Sequence, residues 1–174
     1  MLSNIFSIII RFVLLTFAQV MILNNVHLHG LFNPYLYPLF ILLLPLETPT
    51  WLLLLLGFFS GWVIDWYSHT GGLHASASVL VAFLRPAMLN LLKPTGGYLP
   101  EDRPTISSMG FTWFLTYCSI LVFIHHLYLF IIETFSFTQL VFVIEKIVVS
   151  SIVSITLMII LQYLFYKRKT RAIT

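Results

Sequence analysis

The sequence predicts an all-α transmembrane protein, a multipass bundle of six helices. Three observations carry this reading. Hydrophobic residues make up 59% of the chain and charged residues 9%, with a mean hydropathy of +0.97, a composition that excludes an ordinary soluble domain. The apolar runs come in stretches close to the roughly 20 residues that a helix needs to cross a bilayer. The basic residues gather where six crossings would put them on one side. No polar stretch is long enough for a domain outside the membrane. The expected organisation is therefore one transmembrane domain over 1–166 and a basic cytoplasmic tail over 167–174.

The first span is expected over about 5–23. Arg11 lies one or two turns in, where it can snorkel toward the cytoplasmic interface, and Gln19, Asn24 and Asn25 mark the far end. The stretch lacks a basic n-region and a small-residue cleavage pattern, so it reads as a retained helix rather than a signal peptide. The second segment, about 31–46, contains Pro38 and Pro45. It is short for a span and reads as a kinked or tilted helix or a re-entrant piece. Thr48 or Thr50 is expected to cap the third span, about 49–67, which ends in Trp62, Trp66 and Tyr67, an interfacial aromatic belt. The fourth span, about 72–92, holds Arg85 and Pro86, and the proline is expected to kink or break it. The loop Lys93–Ser108 carries three prolines and two glycines, which argues against helix. The fifth and sixth spans are expected over about 109–132 and 138–166.

Topology follows from the charges. Arg85, Lys93 and Arg103 flank one loop, and Lys167, Arg168, Lys169 and Arg171 form the tail. The loops near 24–34, 68–72 and 133–137 have no Lys or Arg. Six spans with both termini cytoplasmic put every basic cluster inside. The tail follows an apolar helix directly, so it reads as an anchor on anionic lipid rather than a nucleic-acid patch.

The stretch Gly57–Pro86 concentrates polar and small residues. Gly57, Gly61 and Asp65 are spaced by four and share one helix face. A small-xxx-small face lets two backbones approach within lipid, and Asp65 on that face is turned toward protein, since an ionised Asp at the bilayer centre costs roughly 2.5–3.5 kcal/mol. After the turn Ser68–Gly72, a second small-residue line runs Ala75, Ser76, Ala77, Ser78. The stretch reads as a tightly packed helical hairpin. The candidate packing or partner-binding residues are Gly57, Gly61, Asp65, Gly72, His74, Ala75, Arg85 and Pro86.

Candidate chemistry is thin. Asp65 and His69 are spaced by four and pair if the helix continues through both; a capped helix end with Asp65 on turn amides is the plainer reading. The pairs His27/His29 and His125/His126 point apart on a helix and have no metal-site spacing, so no metal or cofactor is expected. Ser76 and Ser78 sit in no nucleophile elbow, and the acids are dispersed. Glu145 and Lys146 are consecutive, and either could meet a charge elsewhere. Cys118 lies in an apolar run and reads as a buried small hydrophobe. The expectation is a protein that is not an enzyme.

Four stretches in this order carry a family resemblance: Tyr37-Pro38-Leu39-Phe40-Ile41-Leu42-Leu43-Leu44-Pro45, Gly57-x-x-x-Gly61-x-x-x-Asp65, Thr70-Gly71-Gly72-Leu73-His74-Ala75, and Phe83-Leu84-Arg85-Pro86. Together they resemble MreD, the integral membrane rod-shape-determining protein of bacteria, most closely over about 34–90. The resemblance implies an inner-membrane protein of the cell-elongation machinery. It implies association with an MreC-like membrane protein and, through it, with the actin-like MreB filament, the RodA glycosyltransferase and a penicillin-binding transpeptidase. The implied role is a non-catalytic scaffold and regulator of rod shape and lateral peptidoglycan synthesis. The family is similar in fold to the substrate-binding S component of energy-coupling-factor vitamin transporters, which makes a small-molecule transporter subunit the alternative reading. A membrane enzyme acting on lipid-linked precursors is a third, for which no catalytic constellation can be assembled.

Overall fold

The computed structural model describes residues 2–25, 33–134 and 140–166. His27, His29 and the basic tail lie outside them, as does the start expected for the sixth span. All regular structure among the described residues is helical. Helix α1 spans Leu2–Phe17 and continues as a π-turn over Ala18–Ile22 and a 3₁₀ turn over Leu23–Asn25. Then come α2 (Leu39–Leu42), α3 (Thr50–Ser68), α4 (Leu73–Leu91), α5 (Ile106–Met109), α6 (Phe111–Thr134) and α7 (Leu140–Leu164). Among the described residues four helical stretches are long and apolar enough to cross a membrane: Ile5–Asn25, Thr50–Ser68, Phe111–Thr134 and Val141–Leu164. Helix α4 has a comparable length but carries His74, the small Ala75–Ser78 line, Arg85 and Asn90, which lower its hydropathy.

The centre of the bundle is α4, which packs against α3 on one side and α6 on another, with α7 beyond α6. Helices α3 and α4 form an antiparallel hairpin. Its turn needs left-handed backbone at three positions: His69 (φ 55°), Gly71 (φ 59°) and Gly72 (φ 100°). Glycine adopts such angles without strain, and His69 is the exception that ends α3.

Three expectations are corrected here. Helix α4 runs through Pro86 to Leu91. The proline forfeits one intrahelical bond, and the residue four positions back, whose carbonyl its ring crowds, is the small, buried Ala82. Thr48 does not cap α3. Its hydroxyl donates to the Pro45 carbonyl at 2.7 Å, and the extended Pro49 occupies the cap position. The segment expected over 31–46 is not a spanning helix in its described part: only Leu39–Leu42 is helical. Yet residues 34–44 are all buried, and Ile41 and Leu42 are wholly inaccessible. This broken segment, rather than any long helix, forms the middle of the core, packed by Leu15, Leu53, Val81, Phe114, Leu121 and Met158.

The segment also runs lengthwise. Tyr35 lies level with Ser154 of α7 and with His74 at the start of α4, while Leu44 lies level with Arg85, eleven residues further along α4. Asn24, at the end of the first helix, donates to Ser68 at the end of α3. The start of α3, just beyond Pro49, is therefore at the opposite end of the bundle, and residues 33–49 carry the chain back to it.

Candidate functional site

The broken segment poses a problem that the surrounding helices solve. Within lipid no water is present to satisfy free backbone groups, so a non-helical stretch is tolerated only when protein supplies partners. Proline at 34, 38, 45 and 49 removes four donors outright. At the entry, Gln19 is fully buried. Its Nε2 donates to the Pro34 carbonyl at 3.1 Å, and its Oε1 accepts from Leu36 N at 2.6 Å. The Tyr35 N–H donates to Ser154 Oγ at 2.8 Å.

The exit is the C-terminus of α2, where the last carbonyls of a helix lack intrahelical partners and carry its negative dipole end. The carbonyls from Leu42 to Pro45, at and just beyond that end, each meet a donor from another helix. Tyr117 of α6 donates its hydroxyl to Leu42 O at 3.1 Å, and Arg11 of α1 donates from Nη1 to Leu43 O at 2.8 Å. Arg85 of α4 donates from Nη2 to Leu44 O and, at 3.3 Å, to Pro45 O. Arg85 also donates from Nε to Tyr117 Oη at 2.9 Å. It is wholly inaccessible, and the partners described for it are carbonyls and a phenol rather than a carboxylate. Arg11, expected to snorkel outward, instead turns in to the same helix end.

The hairpin has its own lock. Asp65, 6% exposed, accepts from His74 N at 3.0 Å, Ala75 N at 2.8 Å and Thr70 Oγ1 at 2.5 Å. The first two are free amides of the first turn of α4, so a carboxylate from α3 caps the next helix. This is the plainer of the two readings of Asp65, the cap on turn amides; α3 stops at Ser68, so the condition for an Asp65–His69 pairing is not met. One turn back, a Cβ added to Gly61 would run into the His74 carbonyl and the Ala75 backbone, at 2.5 Å from Ala75 N. At Gly57 it would meet Ala82 Cβ at 3.0 Å and Ser78 O at 3.1 Å. Gly57, Gly61, Asp65, His74 and Ala75 thus lie along one α3–α4 seam. Gly72 stands at the turn, Arg85 reaches the broken segment instead, and Pro86 is half-buried on α4.

A third cluster joins residues far apart in the sequence. Tyr37 Oη lies 3.0 Å from His74 Nδ1 and 2.6 Å from His125 Nε2. His126 Nδ1 lies 2.8 Å from the Val122 carbonyl, which can only accept, so Nδ1 carries the proton and Nε2 accepts from Ser154 Oγ at 3.2 Å. The phenol has one proton for two imidazoles, so one ring donates to it. His125 Nδ1 is buried without a partner, and a bare lone pair there costs less than an orphaned N–H. That favours His125 Nε2–H donating to Tyr37 and Tyr37 donating to His74. The Tyr35 ring packs edge-on against His74 and His125 and lies 5.5 Å from His126. The adjacent His125 and His126, expected to diverge, both end up buried: one meets Tyr37 and the other meets Ser154. Among the described residues no group of three His, Cys, Asp or Glu could hold a metal ion.

Above this cluster a cavity of about 250 Å³ opens between the ends of α1, α3, α4 and α6, lined by Asn24, Asn33, Tyr35, Ser68, His74 and Glu133 among others. Lys146 closes one side of that end with an ion pair to Glu133 at 2.8 Å and a position 4.3 Å over the Phe130 ring. Cys118 is buried against Met158 Sδ at 3.5 Å.

The sequence pattern does not single out Tyr117 or Ser154, and it assigns no hydrogen-bond partner to Gln19, Tyr37 or His126. Their common signal is a polar side chain inside an apolar run, which in a membrane marks a partner on a neighbouring helix. No protein-family model, curated protein or solved structure matches the chain.

Proposed function

We propose that this chain is a non-catalytic membrane scaffold of the MreD type. In this reading it crosses the inner membrane six times with both termini cytoplasmic, the second crossing being the broken segment 33–49. It binds the transmembrane helix of an MreC-like protein and, through it, supports lateral wall synthesis. The observation that carries the reading is the use made of the residues behind the resemblance. Asp65, Thr70, His74 and Ala75 hold the hairpin, and Arg85 holds the Leu44–Pro45 end of the broken segment. They are spent on one rigid architecture, which is what a scaffold that presents fixed faces requires. The outer face of α3 offers such a surface: Phe58, Phe59, Trp62 and Trp66 are exposed and follow one another along it in edge-on and tilted ring contacts.

A pull-down of tagged protein from native membranes in mild detergent tests this. Recovery of an MreC-like protein with wall-synthesis enzymes, and its loss on replacing Trp62 and Phe59 with alanine, supports the reading. Recovery of neither sinks it.

One observation favours the transporter alternative, the polar cavity at the His74 end. Its volume of about 250 Å³ falls below the roughly 300–1,000 Å³ of sites for drug-sized ligands. Co-purification of an energy-coupling ATPase in the same experiment, with a vitamin-dependent rise in Tm, selects that reading instead.

A further inference from the structure

A cleft of about 550 Å³ lies between α1, from Ser7 to Leu15, and the end of α7, and the scaffold role leaves it unused. It is ordered along its length. Ser7 and Arg11 line it toward the start of α1, and Leu14 and Leu15 line it one turn further in. Its floor is Leu43 of the broken segment together with the buried Leu15, and its rim is Leu14 and Phe165, 57% and 73% exposed. It therefore opens sideways, on the face turned to lipid, with polar groups at one end and apolar walls beyond them.

The polar end is rich in donors. Arg11 lines the cleft and spends one N–H of Nη1 on Leu43 O, so a guanidinium with five N–H donors has others to offer. Gln162 uses Oε1 to accept from Ile106 N at 3.3 Å, which leaves its amide N–H₂ to donate. Thr105 and Ser107 hydroxyls, 3.1 Å apart, complete the end. Among the described residues no carboxylate lines the cleft. Arg103 is near enough to add positive potential at Arg11, and the sequence continues from Tyr166 straight into Lys167, Arg168 and Lys169.

We infer that this cleft binds an anionic phospholipid from the side, with an acyl chain along Leu15 and Leu43 and its phosphate accepting from Arg11 and Gln162. Charge complementarity selects the head group, because a net-negative phosphate meets donors and cations with no acid to repel it. The apolar depth beyond Arg11 selects a lipid over a free anion. The inference does not depend on which partner the protein serves.

The test is native mass spectrometry of the full chain, released from detergent with equal amounts of phosphatidylglycerol and phosphatidylcholine of the same acyl chains. The wild type should retain phosphatidylglycerol about fivefold over phosphatidylcholine, as one basic contact near the surface implies. Arg11→Gln should level the two. Leu14→Trp, on an exposed rim where no hydrogen bond is lost, should lower retention of both, and it serves as the reading if Arg11→Gln does not fold. Equal retention by the wild type, or a preference that survives Arg11→Gln, overturns the inference. Competition by millimolar glycerol phosphate alone would make this a free-anion site. A Leu14→Cys variant that cross-links to another polypeptide in native membranes would give the cleft to a protein helix. Either result rejects the lipid.

Discussion

The Arg85 guanidinium ends on the Leu44 carbonyl, on a segment forty-one residues earlier in the chain. The pairing converts a buried cation into a helix C-cap. The carbonyls of Leu44 and Pro45, just past α2, and the Tyr117 hydroxyl supply partial negative charge to the guanidinium, whose Nη1 is buried without a partner. Arg85→Met should orphan Leu44 O and Pro45 O at a cost of about 1–3 kcal/mol each, read as a fall in Tm in detergent. Arg85→Lys keeps the charge but loses the fork, and should recover only part of the loss. A methionine variant as stable as the wild type would show that the carbonyls find other partners.

The glycine seam predicts an order rather than a single effect. Gly61→Ala should be the most damaging, since its Cβ meets backbone at the His74–Ala75 turn of α4. Gly57→Ala should be milder, its closest neighbour being the Ala82 methyl at 3.0 Å. Gly96→Ala meets nothing within 4 Å and should be neutral to within about 0.5 kcal/mol. Thermal unfolding of the three variants checks the ranking, and equal effects at 61 and 96 would contradict the seam.

Asp65→Ala removes the acceptor shared by His74 N, Ala75 N and Thr70 Oγ1 and should cost about 1–2 kcal/mol, the upper range for loss of a helix cap. Asp65→Asn keeps one carbonyl oxygen and should fall between. Hydrogen exchange localises the effect: the amides of His74 and Ala75 should lose protection first.

Tyr37→Phe deletes the hydroxyl between His74 and His125 and leaves two buried imidazoles short of a partner, at about 1–3 kcal/mol. A double-mutant cycle with His125→Phe should show coupling, because the second change removes one of the groups that the first strands. Additive losses would mean that the 2.6 Å contact contributes little.

Buried Cys118 provides a convenient probe of these variants. It should resist maleimide in the folded protein and label at the rate of global opening, so destabilised variants should label faster in the order of their Tm losses.

Four long apolar helices were legible because in a membrane the apolar run is the helix, and its length near 20 residues follows from the bilayer itself. The hairpin was legible too, because Gly57, Gly61 and Asp65 repeat at the spacing of one helix face and Gly71-Gly72 marks the turn. Segment 31–46 was visible only as an anomaly. It was apolar like a span, but its prolines spoiled it as a helix. Nothing local says that such a segment belongs in the core. That was decided by Gln19, Arg11, Arg85, Tyr117 and Ser154, which lie on four other helices and are ordinary in their own sequence contexts. In lipid, burial of one more leucine gains little, because acyl chains are as apolar as the leucine. What selects the arrangement is the cost of unsatisfied backbone, and a chain's neighbours reveal their spare donors only once the helices are assembled. The same reason explains the histidines. His125 and His126 diverge on α6, as their adjacency requires, and only the placement of Tyr37 and Ser154 on either side turns that divergence into two separate hydrogen-bonded sites.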